Sequence, residues 1–409
     1  MQLPVNKLHI GTKQLCKGDF PPQKKHSINF MNTNICQTPT VADAIEALER
    51  YFPLSTQDSW DNSGLLVGNS HTPLRGIMLS LDITEDVVEA AVAKGCNMIL
   101  SHHPIMFRGL KRLTGSDPDQ RTVMRAVQND VALVAFHTPA DKGIEGTSGS
   151  LGRILGMTDL RILAPETEAL CKVVTYVPTS HTQKVKEAMS EAGAGHIGNY
   201  SNCTWSTEGV GQYKALDGAN PWAGTVGKLH TEPENRVEAI CPRSLASSVE
   251  RSIRSVHPYE EPAMETIPIA DPWTERGYGV VGTIEPMSVR EFLQLLKEKL
   301  ACQSIRYVDF APRSNKRTLE RPIGRVAICT GSGSEFIKVA QRAGADAYVT
   351  ADVKYHQLAE AQGDMLVADI GHYESEIITI NIFKDVLTRF LANFASYETY
   401  TGTNPIKYY

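Results

Sequence analysis

The chain has 409 residues, of which 42% are hydrophobic and 21% are charged, so its composition is typical of a globular protein with about two or three domains. Its formal net charge of -5 excludes the basic surplus with which proteins bind nucleic acids or anionic membranes in bulk. The eight cysteines form no CxxC pair, and no run of eighteen apolar residues occurs. We therefore expect a cytoplasmic protein without a disulfide framework, a thiolate zinc site or a transmembrane helix.

The first thirty residues lack the apolar core of a secretory signal. They contain five lysines, no arginine and Asp19, which is a poor composition for a mitochondrial presequence. We expect residues 1–40 to form a disordered leader, because the first helical pattern, VADAIEALERYF, begins at Val41.

Residues 41–168 are predicted to form a first α/β segment. The strand RGIMLSLD is followed by the helix TEDVVEAAVAKG, which Thr84 caps and Gly95 ends. The strand NMILS, a helix around QRTVMRAVQND and the strand VALVAFHTPAD come next. Strands that alternate with helices at this spacing predict a parallel sheet.

Residues 273–409 repeat this arrangement, so we expect two similar α/β halves that together form one metal-binding domain. The stretch VVEAAVAKGCNMILSHHP aligns with FIKVAQRAGADAYVTADV, and VALVAFHTPAD aligns with MLVADIGHYESE. The second alignment places His137 and Asp141 in register with His372 and Glu376. Each half thus offers a histidine and, four residues later, a carboxylate just after a strand, where open α/β sheets hold ligands.

Residues 169–272 show a different order of elements and are predicted to be an inserted domain. The pattern is strand, helix, glycine-rich hairpin, strand, helix and strand, which favours a ferredoxin-like α+β fold. The motif HPYEEPA in this segment offers His257, Glu260 and Glu261. Because Pro258 and Pro262 make it rigid, a structural turn or a subunit contact is favoured over a binding site.

The stretch MILSHHPIMF places His102 and His103 directly after a buried strand. Adjacent side chains diverge in an extended backbone, and Pro104 keeps His103 extended, so the pair is better placed to serve two ions than to chelate one. Imidazole and carboxylate ligands suit divalent Zn, Mn, Fe, Co or Ni. A site for two divalent ions, with one bridging carboxylate and open positions for water, is predicted from His102, His103, Asp141, His372 and Glu376.

Other polar residues allow two interpretations each. His137 and His356 are candidate proton shuttles, although capping of the helix that follows is an alternative role for His356. In CTGSGSEF, the amides of residues 332–335 can hold an anion or can belong to a plain tight turn. Asp61 and Asn62 can orient a metal ligand or cap a turn.

The motifs DSWDNSGLLVG, ILSHHPIMF, FHTPAD, TADVKYH and DIGHYESE resemble the successive motifs of the Nif-three-like family, whose bacterial members are labelled GTP cyclohydrolase 1 type 2 homologs. The resemblance extends from about residue 41 to residue 409, and the middle segment resembles the PII/CutA-like insertion of the longer bacterial members. It implies a dinuclear metal centre held by the five residues above, with Glu376 as the bridge.

The resemblance also implies a ring-shaped homohexamer, a trimer of dimers, and a position for His137 close to the metals. The chain departs from the family after His137, where it reads TPADKGIEG in place of Asn-Leu-Asp and a small-residue loop. Asp141 is retained, but the loop is expected to alter access of the substrate.

Two classes of function remain open at this point. In the first, the protein is a metal-dependent hydrolase that acts on a small-molecule substrate, a nucleotide or a phosphoester, through a metal-bound hydroxide. In the second, it is a non-catalytic metal-binding or regulatory ring protein whose insertion binds a small molecule or a partner. The GTP cyclohydrolase label comes from the resemblance alone, since the sequence has no Walker-type loop.

Overall fold

The structure, a computed structural model, describes residues 38–308, 318–361, 363, 365–391, 394 and 396–409. Of the predicted leader, residues 1–40, the first 37 residues lie outside the described residues. Helix α1 (Val41–Glu49) starts where the periodicity predicts. A capping box fixes this start, because the Thr40 hydroxyl accepts from the Asp43 amide and the Asp43 carboxylate accepts from the Thr40 amide.

The first α/β segment continues with strands and helices in alternation. They are β1 (Gly64–Val67), β2 (Ile77–Ser80), α2 (Glu85–Ala93), β3 (Met98–Ser101), α3 (Pro118–Gln128), β4 (Ala132–Ala135), α4 (Thr138–Asp141), α5 (Thr147–Ile154) and β5 (Thr158–Glu166). Thr84 caps α2, and Gly95 follows its end with a φ of 74°, both as predicted. Strands β2, β3 and β4 pair in parallel, also as predicted.

The middle segment forms a sheet of its own with two helices. Its elements are β6 (Leu170–Pro178), α6 (Thr182–Glu191), β7 (Thr204–Lys214), β8 (Leu229–Pro242), α7 (Ala246–Val256) and β9 (Met264–Ile269). The strand order is β7-β8-β6-β9, with each neighbouring pair antiparallel. Apolar side chains of α6 and α7, among them Val185 and Ile253, share one core with Val173 of β6 and Val237 of β8.

The rest of the chain returns to alternating strands and helices. The elements are β10 (Trp273–Ser288), α8 (Val289–Leu300), β11 (Arg306–Val308), β12 (Pro322–Ile328), α9 (Ile337–Arg342), β13 (Ala347–Thr350), α10 (Tyr355–Ala361), β14 (Leu366–Asp369), α11 (His372–Glu376), α12 (Thr379–Phe390) and β15 (Tyr397–Tyr400). No helix in the described part of the chain is long and apolar enough to cross a membrane.

Two further sheets contain parallel strands in equivalent order. The first sheet runs β1-β4-β3-β2-β15 and the second runs β11-β14-β13-β12-β10-β5. Each includes three parallel strands, β4-β3-β2 and β14-β13-β12, in the same order along the chain. The molecule is thus a mixed α/β structure in which one strand–helix arrangement occurs twice.

The two sheets exchange strands, which the division into residues 41–168 and 273–409 does not anticipate. Strand β5 pairs with β10 in the second sheet, and β15 pairs with β2 in the first. The physical reason lies in the connection to the middle segment. Glu166 and Trp273 stand opposite each other where the chain leaves for that segment and returns from it, so β5 and β10 form an antiparallel pair.

Helix α12 joins the two sheets through the main apolar core. Its residues Phe383 and Leu387 are buried against Leu48 of α1 and against Phe136, which follows β4. Because α11 lies directly before α12 in the chain, this packing holds the end of the second sheet against the end of the first. Burial of a side chain the size of Phe383 contributes about 2 to 3 kcal/mol to such an anchor.

Candidate metal centre

The predicted ligands lie at the carboxyl ends of parallel strands. His102 and His103 directly follow β3, whose last residue is Ser101. His137 is the N-cap of the short helix α4, and Asp141 is its last residue. His372 and Glu376 are the first and last residues of α11. In both halves the histidine and the carboxylate are four residues apart on one helical turn, which places them on the same side.

The five side chains come together in two groups that share Glu376. The ligand atoms of His103, His372 and Glu376 lie within 4.8 Å of one another, and so do those of His102, Asp141 and Glu376. One carboxylate oxygen of Glu376, Oε2, is 2.9 Å from His103 Nε2 and 2.8 Å from His372 Nε2. The other, Oε1, is 3.8 Å from His102 Nε2, which is itself 3.5 Å from Asp141 Oδ1.

A hydrogen bond at Nδ1 orients each histidine of the two groups. The pairs are His102 with the Phe136 carbonyl at 2.9 Å, His103 with Asp82 Oδ1 at 2.7 Å and His372 with Asp352 Oδ2 at 2.7 Å. A carbonyl or a carboxylate can only accept, so Nδ1 carries the proton and donates it. Each Nε2 therefore faces the shared centre, where it donates a proton while the ring is charged and can offer its lone pair to a metal ion once that proton is lost.

Asp82 and Asp352 were not among the residues predicted from the sequence. Each stands two residues after a strand, β2 in one case and β13 in the other. Asp352 follows β13 at the position at which His103 follows β3, so the alignment of the two halves contained a signal for it. Asp82 has no comparable signal, because a single acidic residue at a strand end is common.

The geometry of the histidines fits a cation at the shared centre. His102 is fully buried, and its Nε2 has no hydrogen-bond partner among the described residues. A buried nitrogen left in this state costs about 1 to 3 kcal/mol, which a bound cation would offset. The Nε2 atoms of His103 and His372 lie 3.3 Å apart with both Nδ1 atoms engaged elsewhere. These residues can therefore hold a metal.

The charges of the cluster favour the same conclusion. Burial acts to raise the pKa of Glu376, but the imidazoles of His102, His103 and His372 around its carboxylate outweigh burial and hold that pKa well below its usual range. Burial acts to lower the pKa of His103 and of His372, but hydrogen bonds to carboxylates raise the first to about 9 and the second to about 11. Burial and the Glu376 charge raise the pKa of Asp141. The cluster thus stabilises positive charge, supplied by protons or by metal ions.

Gly331 makes room for Glu376. A Cβ atom on Gly331 would lie 2.1 Å from Glu376 Oε1, and the residue has a φ of 64°, which favours glycine. The Gly331 amide donates to Ser375 Oγ at 2.9 Å, and the Gly333 amide donates to Thr350 Oγ1 at 3.0 Å. These bonds use two amides of the CTGSGSEF motif within the fold, which favours the tight-turn interpretation over an anion site.

His137 is held beside the two groups by Asp61. Its Nδ1 donates to Asp61 Oδ1 at 3.0 Å, and its ring centroid is 5.2 Å from that of His102. Asp61 is buried and also accepts from Thr138 Oγ1 and Ser63 Oγ. Burial acts to raise the pKa of Asp61, but these hydrogen bonds hold it well below its usual range. The ligand atoms of His137, His102 and His103 also lie within 4.8 Å of one another.

Two histidines considered in the sequence lie apart from this arrangement. His356 is exposed on α10 with its ring 5.3 Å from that of Tyr355, and it is in none of the groups of candidate metal ligands formed by the described residues. His257 donates from Nε2 to the Tyr176 carbonyl, and its Nδ1 accepts from the Tyr259 amide. Both nitrogens of His257 are therefore satisfied within the middle segment, one by strand β6 and one by the turn that follows α7.

The loop that departs from the family pattern contributes to the cluster. Thr147 Oγ1 donates to Asp141 Oδ1 at 2.9 Å, and it accepts from Thr330 Oγ1 at 2.7 Å. Lys142 is buried and donates to Asp58 Oδ1 and Glu166 Oε1, each at 2.5 Å. The segment after Asp141 is thereby tied to both sheets.

Comparison with known proteins identifies the family. Residues 39–405 match the sequence model of Duf34/NIF3 (NGG1p interacting factor 3). The GTP cyclohydrolase 1 type 2 homolog of Bacillus subtilis is 34% identical over 375 residues, covering 89% of this chain and 97% of that protein. A Bacillus cereus protein related to NIF3 has a solved structure with a TM-score of 0.75 and 31% identity, covering 91% of this chain and 100% of that one. The chain belongs to the Duf34/NIF3 family.

Proposed function

We propose that the cluster holds two divalent metal ions and that the protein is a metal-dependent hydrolase. The observation that carries the proposal is the position of Glu376, which belongs to both groups and directs one carboxylate oxygen to each. In this assignment His103 and His372 would hold one ion, His102 and Asp141 would hold the other, and Glu376 would offer one carboxylate oxygen to each.

Two such ions, when bound, would supply Lewis-acid chemistry, because they would lower the pKa of a bound water and polarise a phosphoryl group or a ring carbon of the substrate. The chain's own residues would bind the ions and orient the side chains that hold them. Asp82 and Asp352 fix the direction of two histidine rings, and Thr147 fixes that of Asp141. His137 presents Nε2 to the cluster because Asp61 holds its Nδ1, so this nitrogen is the candidate that accepts or returns a proton. The role of His356 as a proton shuttle stays a prediction, since His356 is in none of the groups of candidate metal ligands among the described residues.

The substrate class that we propose is a nucleotide or a phosphoester. The naming of the Bacillus subtilis relative as a GTP cyclohydrolase 1 type 2 homolog supports a nucleotide. The test is turnover by the metal-loaded protein on a panel of nucleotides and phosphodiesters, with His103→Ala as the control. Activity that His103→Ala abolishes supports the hydrolase. Metal binding without turnover of any substrate supports the alternative, a metal-binding or regulatory protein.

We also propose that the middle segment is a ferredoxin-like, PII/CutA-like domain and that the protein forms a ring-shaped homohexamer in the cytoplasm. The strand order β7-β8-β6-β9 with helices after the first and third strands supports the domain assignment. The hexamer rests on the family resemblance, and closed symmetric assemblies are the usual outcome of such pairings. Light scattering tests it, because a monomer at micromolar concentration would exclude the ring.

A further inference from the structure

Two exposed aromatic side chains stand at the edge of the candidate metal centre without a packing role that explains them. Trp60 is 56% exposed and Phe107 is 47% exposed. Their ring centroids are 6.0 Å apart, with 41° between the planes. Side chains of this size are normally buried, so an exposed pair beside a polar cluster marks a surface that binds something.

His137 connects this aromatic pair to the candidate metal ligands. Its ring lies 5.7 Å from Trp60 and 5.5 Å from Phe107, edge to face in both cases. On its other side, its ring is 5.2 Å from His102 and 5.6 Å from His103. Only the imidazole ring of His137 would thus lie between a ligand stacked on the aromatic pair and the candidate metal ligands.

The backbone that carries Trp60 is fixed on both sides, although its side chain is exposed. The Asp58 amide donates to Thr138 Oγ1, and the Asp61 carboxylate accepts from the Thr138 amide and hydroxyl. Asn62 Nδ2 donates to the Met106 carbonyl at 2.7 Å, which ties this segment to the residue before Phe107. The backbone next to both rings is therefore fixed before any ligand binds, which reduces the entropy lost on binding.

The loop that begins with Phe107 supplies positive charge. Residues 104–116 contain Arg108, Lys111 and Arg112 and no acidic residue. All three are exposed, and none forms an ion pair or a side-chain hydrogen bond within the described part of the chain. Exposed cations in the same loop as an exposed aromatic ring match a ligand that combines a planar ring with a phosphate.

We propose that Trp60 and Phe107 form a base-binding subsite for a nucleoside phosphate, with the phosphate facing Arg108, Lys111 and Arg112. This inference deepens the proposed function and rests on it for the reaction, but it makes a claim about binding that can be tested without turnover. Subunit contact and binding of a single-stranded oligonucleotide are the competing roles for this surface.

The test is a titration of the full-length protein, metal-loaded and chelator-treated, with adenosine or guanosine 5′-monophosphate and with ribose 5-phosphate. Because stacking of a base on aromatic rings stabilises binding, we expect the nucleotides to bind about tenfold more tightly than the sugar phosphate. Trp60→Ala and Phe107→Ala should each remove this preference and leave ribose 5-phosphate binding unchanged. The triple replacement of Arg108, Lys111 and Arg112 by Ala should weaken both kinds of ligand.

Trp205→Ala is the matched control, since Trp205 is 54% exposed but lies on β7 of the middle segment. It should leave all affinities unchanged. Equal affinity for nucleotide and sugar phosphate, or a Trp60→Ala variant that keeps the preference, would overturn the subsite. So would dissociation of an oligomer in Trp60→Ala, or an oligonucleotide that binds far more tightly than the monophosphates. Binding with no turnover would leave the subsite standing and count against the hydrolase alone.

Discussion

The Nε2 atoms of His103 and His372 lie 3.3 Å apart, although the two residues are 269 positions apart in the chain. Each ring donates its Nδ1 proton to a carboxylate, Asp82 for His103 and Asp352 for His372. Two nitrogen lone pairs at this distance repel each other unless a proton or a metal ion lies between them and Glu376. The fold therefore brings the two sheets together at a point where positive charge, from protons or from a metal ion, is stabilised.

Replacement of the orienting carboxylates is expected to weaken metal binding without removing a ligand. Asp82→Asn and Asp352→Asn should each lower metal affinity about 10- to 100-fold, because a neutral amide oxygen holds the Nδ1 proton less strongly than a carboxylate and no longer raises the basicity of Nε2. Competition with a chromophoric chelator measures this. Asp159→Asn is the control for Asp352, since Asp159 also has a positive φ, of 51°, but lies far along the chain on β5. Unchanged affinity in both test variants would contradict the orienting role.

Gly331→Ala is expected to disturb Glu376 directly. The added Cβ would lie 2.1 Å from Glu376 Oε1, so the carboxylate must move away from the position that both groups share. Gly344→Ala is the matched control, because Gly344 has a similar φ of 71° but nothing within 4 Å of the added atom. Both variants should lose about 1 kcal/mol of stability to backbone strain. Elemental analysis should show metal loss in Gly331→Ala alone, and equal metal content in the two would argue against this account.

Lys142→Met is expected to lower the free energy of unfolding by about 2 kcal/mol, because it leaves Asp58 and Glu166 without their charged donor. The Lys142 side chain is only 3% exposed and links the loop after Asp141 to both carboxylates. Urea denaturation measures the change. The control is Lys172→Met, whose ion pair with Glu238 involves a lysine side chain that is 45% exposed and should change stability by less than about 1 kcal/mol. A loss in Lys142→Met as small as in the control would show that the buried lysine contributes little.

Much of the arrangement could be predicted from the sequence, because it depends on local patterns that occur twice. Alternating apolar strands and capped helices predict parallel strands β2 to β4 and β12 to β14. The carboxyl ends of parallel strands meet at one edge, so His102, His103 and the two histidine–carboxylate turns were expected to lie near one another. The structure brings these side chains together, and their role as ligands stays a prediction until metal is measured.

The exchange of β5 and β15 between the sheets could not be predicted in the same way. Pairing of distant strands depends on the whole topology, and no local pattern distinguishes β15 as a partner of β2. The contacts of Trp60 and Phe107 with His137 were missed for a similar reason, since they join segments that are separate in sequence. Contacts between side chains that are far apart in the chain leave no periodic pattern in the sequence.

The metal content of Glu376→Ala tests the central claim most directly. In the proposed site the Glu376 carboxylate would neutralise both cations, so its loss would leave each ion with too few ligands. We expect two metal ions per chain in the unaltered protein, one or none in Glu376→Ala, and two in His257→Ala, whose ring nitrogens are satisfied within the middle segment. Elemental analysis that finds two ions per chain in Glu376→Ala, or none in the unaltered protein after metal loading, would contradict the account.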